Sequence, residues 1–518
     1  MKKVKILWTD DEIDLLKPHI IFLESKGYEV HTSTNGYDTI EMVSQQSFDI
    51  LFLDENMPGL TGLETLAKIK EVAPHVPVVM ITKSEEENIM DEAIGSKMAD
   101  YLIKPVNPKQ VLLSIKKNVD QKRLVTEQTT SAYQSQFGKI GMQINDSFTI
   151  EDWKEVYRKL VFWELELSNS EDNTMNDVLQ MQKNDANNAF ARFVKKNYSE
   201  WFKPENSEER PLLSPDLFKK RILPQLDKQK KVFVLVIDNL RYDQWRDLVP
   251  MISEEYNIAS EELYYSILPT ATMYARNAFF AGLMPSEIAK HYPEHWVDED
   301  EEGGKNLKEK ELLEEQLKRL GRSESMFFDK VSSLRTDKKV KDTVTAIQKH
   351  DLSVMVFNFV DMISHSRTEI EVVRELAKDE KAYRSLTRSW FQHSNLYELL
   401  KQLAELNITV MLTTDHGSIR VQNAVKVIGD RNTNTNLRYK VGKNLNYNKK
   451  QVFDITKPAS IHLPAPNVSS SFIFATESDF IAYPNNYNHY VNYYKDTFQH
   501  GGISMEEMII PLITLKAR

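Results

Sequence analysis

Three apolar runs in the second half of the chain each stop on an aspartate: Val232–Asp238 (VFVLVID), Val354–Asp361 (VMVFNFVD) and Ile408–Asp415, which continues into His416-Gly417. His365 follows Asp361 by four residues, and His500 stands before Gly501-Gly502. Carboxylate and imidazole are ligands for divalent metals, and three of each could hold a pair of ions of the kind used in phosphate chemistry. Apolar runs without alternation predict strands buried on both faces of a parallel sheet. Open α/β sheets bind ligands beyond the carboxyl ends of their strands, so the three aspartates are expected to share one crevice.

A second set of acids lies near the N-terminus. Five strands are predicted at Val4–Trp8, Glu29–Thr32, Ile50–Leu53, Val78–Ile81 and Tyr101–Ile103, with helical patterns between them, which implies a doubly wound sheet. Asp10-Asp11 follow the first strand and Asp54 the third; Thr82 follows the fourth and Lys104-Pro105 the fifth. Carboxylates grouped in this way suit Mg²⁺, with Asn56 supplying a carbonyl oxygen. These positions, with the stretch DENMPGLTGLE from Asp54, resemble the flavodoxin-like receiver domains of two-component response regulators. The resemblance implies that Asp54 is phosphorylated by a cognate sensor histidine kinase. It also makes Thr82, Tyr101 and Lys104 the residues of the switch. Phosphorylated receivers of this kind pair through a face that here includes Asp91–Lys97, Tyr101–Ile103 and Val111–Asn118, so a phosphorylation-dependent homodimer is expected.

The chain has 518 residues, too many for one core, with 41% hydrophobic residues and a net charge of −10. Without cysteine there can be no disulfide or thiolate-bound zinc, and metals must be held by nitrogen and oxygen. The start lacks the apolar stretch of a signal peptide, and no apolar run approaches the ~18 residues of a membrane span. A cytoplasmic protein without membrane partners is expected. Residues 124–203 hold 9 Lys/Arg against 12 Asp/Glu, which argues against specific DNA binding. In that region Trp153, Val156, Leu160 and Trp163 recur at helical spacing, as do Leu179, Phe190, Phe193 and Val194. A helical bundle serving as a spacer is the reading, followed by a proline-containing linker at Lys203–Pro215. The expected domains are 1–122, 123–205 and 206–518, an α/β multidomain architecture.

In the last of these, SILPTATMYARNAFFAG places Thr270 and Thr272 where a strand turns into a helix that Gly282 would close. Asp238, this Pro-Thr-x-Thr segment, Asp361-x-x-x-His365, Asp415-His416-Gly417 and His500-Gly501-Gly502 come in the order and spacing of the alkaline phosphatase superfamily. HGGISMEEMIIPL is similar to its PglZ branch. The whole chain resembles the PorX-type response regulators of the type IX secretion system, which implies a transcription (sigma) factor or secretion component as partner. By the same resemblance one ion takes Asp361, His365 and His500. The other takes Asp238, Asp415, His416 and the oxygen of Thr272, the nucleophile. Zinc is expected, with manganese as the alternative. Nucleotide-cleaving relatives carry an Asn three residues after the nucleophile; here that residue is Ala275, and Arg276 or Asn277 is expected to contact the substrate. The basic stretch Lys426–Lys450 and the tyrosine-rich Tyr483–Phe498 suit a nucleotide or oligonucleotide phosphodiester. The alternative is a metal-binding pseudoenzyme that acts as a scaffold.

Overall fold

The computed structural model describes residues 3–74, 76–83, 98–168, 174–203, 205, 210–299, 301, 303–331, 340–369, 375–429, 433–465, 467, 469–484 and 487–518. The chain divides into two compact units, one essentially Met1–Ala132 and the other essentially Tyr133–Arg518. No helix among the described residues is long and apolar enough to cross a membrane.

In the first unit β1 (Lys5–Thr9), β2 (Glu29–Ser33), β3 (Ile50–Asp54), β4 (Val78–Thr82) and β5 (Asp100–Ile103) form a parallel sheet in the order β2-β1-β3-β4-β5. The central β3 and β4 are buried throughout, as their unbroken apolar runs require. One side of the sheet packs Ile6, Trp8, Phe52 and Val111, and the other Leu7, Leu51, Leu66 and Ile69. The expected pairing face is described at Tyr101–Ile103 and Val111–Asn118, while its Asp91–Lys97 part lies outside the described residues.

The second unit is built on β6 (Val232–Ile237), β7 (Tyr256–Tyr265), β8 (Met326–Val331), β9 (Leu352–Phe357), β10 (Thr409–Thr413) and a C-terminal strand, Ile509–Ala517. The order is β7, the C-terminal strand, β10, β6, β9, β8. β10, β6, β9 and β8 are mutually parallel, while the C-terminal strand runs antiparallel to β10. Val236 of β6 pairs with Thr413, and Ile237 with Phe357, so the segments carrying Asp238, Asp361 and Asp415 leave the sheet at one edge. That is the crevice the apolar runs predicted.

The helical segment is more than a spacer. Helices Ile150–Ser168 and Thr174–Asn197 belong to the second unit, and Trp153, Leu160, Phe190 and Val194 share one core with its sheet. Trp153 packs on Phe190, which stacks on Tyr265 of β7. Thr149 and Asp152 cap the first of these helices reciprocally, the Thr149 amide donating to the carboxylate and the Asp152 amide to the Thr149 hydroxyl. Nor does Lys203–Pro215 act as a free linker at its end. Leu213 and Ser214 are fully buried, and Leu212 accepts a hydrogen bond from the Tyr265 amide. Two adjacent leucines extend the sheet edge there, a pairing that the flanking prolines concealed.

Candidate metal centres

Asp361, His365 and His500 bring their ligand atoms within 4.8 Å of one another, and so do Asp238, Asp415 and His416. Asp238 and Asp415 stand just past β6 and β10, which are neighbours, while Asp361 lies in the first turn of the helix Phe359–Glu369. His365 is one helical turn further on, with its side chain 57% exposed, so this is the open side of the site. Thr272 begins the helix Thr272–Ala281, which Gly282 ends at a φ of 61°, a left-handed conformation that suits glycine. The Thr272 hydroxyl lies 3.2 Å from His416 Nε2.

The imidazoles are held by their other nitrogens. His500 Nδ1 faces the Thr270 carbonyl at 3.1 Å, and His416 Nδ1 faces the Gly417 carbonyl at 3.2 Å. In each ring a donating Nδ1–H leaves the Nε2 lone pair for the site. Gly417 has no room for a side chain, because a Cβ would stand 2.1 Å from the Glu506 carbonyl. Burial keeps both rings neutral: His500 is pushed down to about 3 and His416 is lowered as well. Among the acids, burial raises Asp238 to about 7 against the pull of Arg276, and Asp415 is raised in the same way. Asp361 is held below its ordinary range, since the His365 bond and the nearby imidazoles outweigh its burial.

Two oxygens test whether a cation fits. Asp238 Oδ1 and Asp415 Oδ2 are buried without a hydrogen-bond partner, at 3.8 and 3.6 Å from His416 Nε2. Orphaned carboxylate oxygens grouped with an imidazole lone pair are costly alone and are satisfied by a divalent ion. A further triplet, Glu164, Asp243 and Glu380, is of another kind. Lys183 bonds Glu164 at 2.7 Å, Arg384 lies 3.0 Å from Asp243, and Arg241 pairs with both Asp243 and Glu380. Fixed cations already balance it.

Sequence reasoning gave no role to three residues of the site. Asn239, at a φ of 63°, donates from Nδ2 to Asp361 Oδ1 at 3.2 Å and from its amide to Asp415 Oδ1 at 3.5 Å, tying the clusters together. An asparagine directly after a strand-end aspartate, in a conformation asparagine tolerates, was the available signal. Thr270 anchors the His500 loop by accepting from the Gly501 amide and donating to the Gly502 carbonyl. Glu507 accepts from the Gly502 amide at 2.8 Å and pairs with the fully buried Arg438 at 2.6 Å.

Two expectations meet a different geometry. Arg276 is fully buried, with Nη1 on Asp238 Oδ2 at 2.6 Å and Nε on Glu309 at 2.6 Å, so it braces a ligand instead of facing a substrate. Asn277 donates to the Lys305 carbonyl at 3.0 Å. The basic stretch Lys426–Lys450 does not wholly face an incoming phosphodiester either, for Arg438 and Lys440 are buried. In the tyrosine-rich segment, Tyr487 donates to the Ala424 carbonyl and packs with Val491 against Phe480.

In the first unit Asp10, Asp11 and Asp54 form a third cluster, with Asp10 and Asp54 buried and Asp11 exposed. Lys104 Nζ reaches Asp10 at 2.9 Å and Asp54 at 2.8 Å. Burial raises Asp54 in spite of that lysine. Thr82 ends β4 and is buried, Tyr101 is 39% exposed on β5, and Asn56 is exposed two residues beyond Asp54.

The family model described as the BREX system PglZ alkaline phosphatase-like domain matches residues 217–515. The chain belongs to the PglZ alkaline phosphatase-like family. The PorX response regulator linker domain matches residues 123–202 of this PglZ family member, and the response regulator receiver domain residues 6–116. Together they make a PorX-type response regulator architecture. The transcriptional regulatory protein ZraR of Klebsiella oxytoca is 32% identical over 140 residues, 27% of this chain and 32% of its own length. SrrA of Staphylococcus aureus is 30% identical over 112 residues, 22% of this chain and 46% of its own. The chain thus spans about a third of the length of the curated relatives it first matches. Among solved structures, a CheY-like receiver domain protein from Methanospirillum hungatei has 26% identity and a TM-score of 0.23, covering 23% of this chain and 96% of its own.

Proposed function

We propose that this response regulator carries its output as an enzyme, a zinc-dependent phosphodiesterase acting on nucleotides or oligonucleotides, with Asp54 phosphorylated by a sensor histidine kinase. The observation that carries the reading is the Thr272 hydroxyl at 3.2 Å from His416 Nε2, beside two orphaned carboxylate oxygens. Asp361, His365 and His500 would hold one ion; Asp238, Asp415, His416 and Thr272 would hold the other. Such ions, when bound, neutralise the phosphate and favour the ionised form of a hydroxyl. Thr272 Oγ1 then forms a bond to phosphorus as the bond to the leaving oxygen breaks, and water later cleaves the threonyl phosphoryl ester. His500 and His416 stay neutral because burial outweighs the upward pull of their Nδ1 carbonyl partners, which fix the tautomer and leave Nε2 to the site.

A diester preference is supported by the surroundings of Arg276. A monoester brings one more negative charge, and the arginine nearest the site already spends its charge on Asp238 and Glu309. In the receiver, Mg²⁺ on Asp10, Asp11, Asp54 and Asn56 would support phosphorylation, and Thr82, Tyr101 and Lys104 would relay it to a homodimer. The PorX-type architecture supports a role in regulating type IX secretion in the cytoplasm, through a sigma factor or secretion component. Hydrolysis of bis-p-nitrophenyl phosphate and p-nitrophenyl phosphate, with and without Zn²⁺, tests the activity. Zinc-dependent turnover that favours the diester and vanishes in Thr272→Ala is expected. No zinc-dependent turnover of either ester would turn the reading to a scaffold.

A further inference from the structure

Away from the metal clusters, three helices of the second unit enclose a cleft of about 580 Å³. Each contributes one stripe at helical spacing: Arg158, Phe162 and Leu165 from Ile150–Ser168; Tyr242, Arg246 and Pro250 from Tyr242–Ile252; Lys381, Arg384 and Arg388 from Glu380–Gln392. Five cationic side chains thus face one cleft against two acids, Glu166 and Asp247, in a chain whose net charge is −10. A concave wall of one sign focuses potential and draws in the opposite charge.

The cations are unequally committed. Arg384, at the buried side, is held by Glu164, Asp243 and the Ser168 hydroxyl. Arg246 pairs with Glu261 at 2.9 Å, and Arg388 with Asp247 at 3.3 Å, both through Nη1 alone. Arg158 has no ion pair among the described residues. Guanidinium edges therefore remain for an incoming anion, and arginine forks match phosphate oxygens. Beside them Phe162 is 51% exposed, a large apolar ring left in solvent next to charged groups. An aromatic face beside arginines suits a stacked base, and the volume lies in the range of small-molecule sites.

We propose that this cleft binds a phosphorylated small molecule of the nucleotide class, its phosphates on Arg158, Arg246 and Arg388 and its base on Phe162. The site shares no residue with the metal clusters, so occupancy should not need the metals.

The test is fluorescence titration of the full chain with N-methylanthraniloyl-ATP after chelator treatment and dialysis, with ATP, tripolyphosphate and adenosine as competitors. Saturable binding that survives metal removal, yields to ATP and to tripolyphosphate, and falls at least tenfold in Arg158→Glu/Arg388→Glu is expected. Phe162→Ala should weaken the nucleotide and leave tripolyphosphate competition unchanged. Both variants alter partly or well exposed side chains, and unchanged circular dichroism with retained bis-p-nitrophenyl phosphate hydrolysis identifies folded protein. No binding to the metal-free chain would overturn the proposal. So would binding indifferent to the arginine substitutions, and so would capture of an acidic peptide in place of every phosphate competitor.

Discussion

The receiver cluster and the PglZ-domain clusters are built on one plan and differ in what surrounds them. Both gather carboxylates at the carboxyl ends of parallel strands. In the receiver every candidate ligand is an oxygen, Asp11 is exposed, and Lys104 stands 2.8 Å from Asp54. In the PglZ domain imidazoles complete the sets, Asp238, Asp415 and His416 are wholly enclosed, and Arg276 braces Asp238 from behind. An open, oxygen-only set suits a hard ion that exchanges readily, and a closed nitrogen–oxygen set suits a resident one. This contrast underlies the proposal of Mg²⁺ at the first and Zn²⁺ at the second.

The largest expected effect comes from removing a ligand of the enclosed set. Asp415→Ala or His416→Ala should lose one of two bound Zn²⁺ and lower hydrolysis by about 10³-fold or more, since a metal supplies several kcal/mol of charge stabilisation. Asp54→Asn should abolish acyl phosphate formed from acetyl phosphate and Mg²⁺ while leaving zinc content unchanged. Metal analysis and mass spectrometry of both variants read the two halves separately, and any exchange of effects between them would break the comparison. Next comes Asn239→Ala. It removes the hydrogen bond that orients Asp361, and about 10–100-fold in zinc affinity should be lost, as is usual for residues that support ligands. Affinity unchanged in a competition titration would reduce Asn239 to a turn residue.

How much of this was legible follows from the range of each contact. The aspartates ended strands because the apolar runs before them are local patterns, and the histidines lay close by in sequence or beside glycines. Arg276 misled because its partners are not local. Four residues after Thr272 it does lie on the face of the site, but Asp238 and Glu309 take its guanidinium from other elements. The packing of the helical segment on the second unit's core stayed hidden for the same reason. Glu164 is held by Lys183 and Arg384, the latter 220 residues away, and no periodicity announces such a pair. Burial raises the Glu164 carboxyl, and Lys183 and Arg384, with Arg241 nearby, outweigh it, so its pKa is lowered overall despite full enclosure.

A smaller effect sharpens the contrast within the basic stretch. Burial lowers Lys440 to about 7 from 10.5, with Glu299 opposing. Between those values the unfolded chain holds a proton that the folded chain has released, so this group's contribution to stability rises with pH across that window. Lys440→Met should therefore exceed the parent in melting temperature most at the acid end, the gap closing as pH rises. A gap constant from neutral to alkaline pH would mean that Lys440 stays charged in the folded protein.

Thr272 as the nucleophile is the centre of the account, and a covalent adduct tests it directly. Rapid quenching of the zinc-loaded chain with bis-p-nitrophenyl phosphate, followed by peptide mass spectrometry, should find one p-nitrophenyl phosphoryl group on Thr272, absent from Thr272→Ala. Undiminished hydrolysis by Thr272→Ala, or an adduct on another residue, would contradict it.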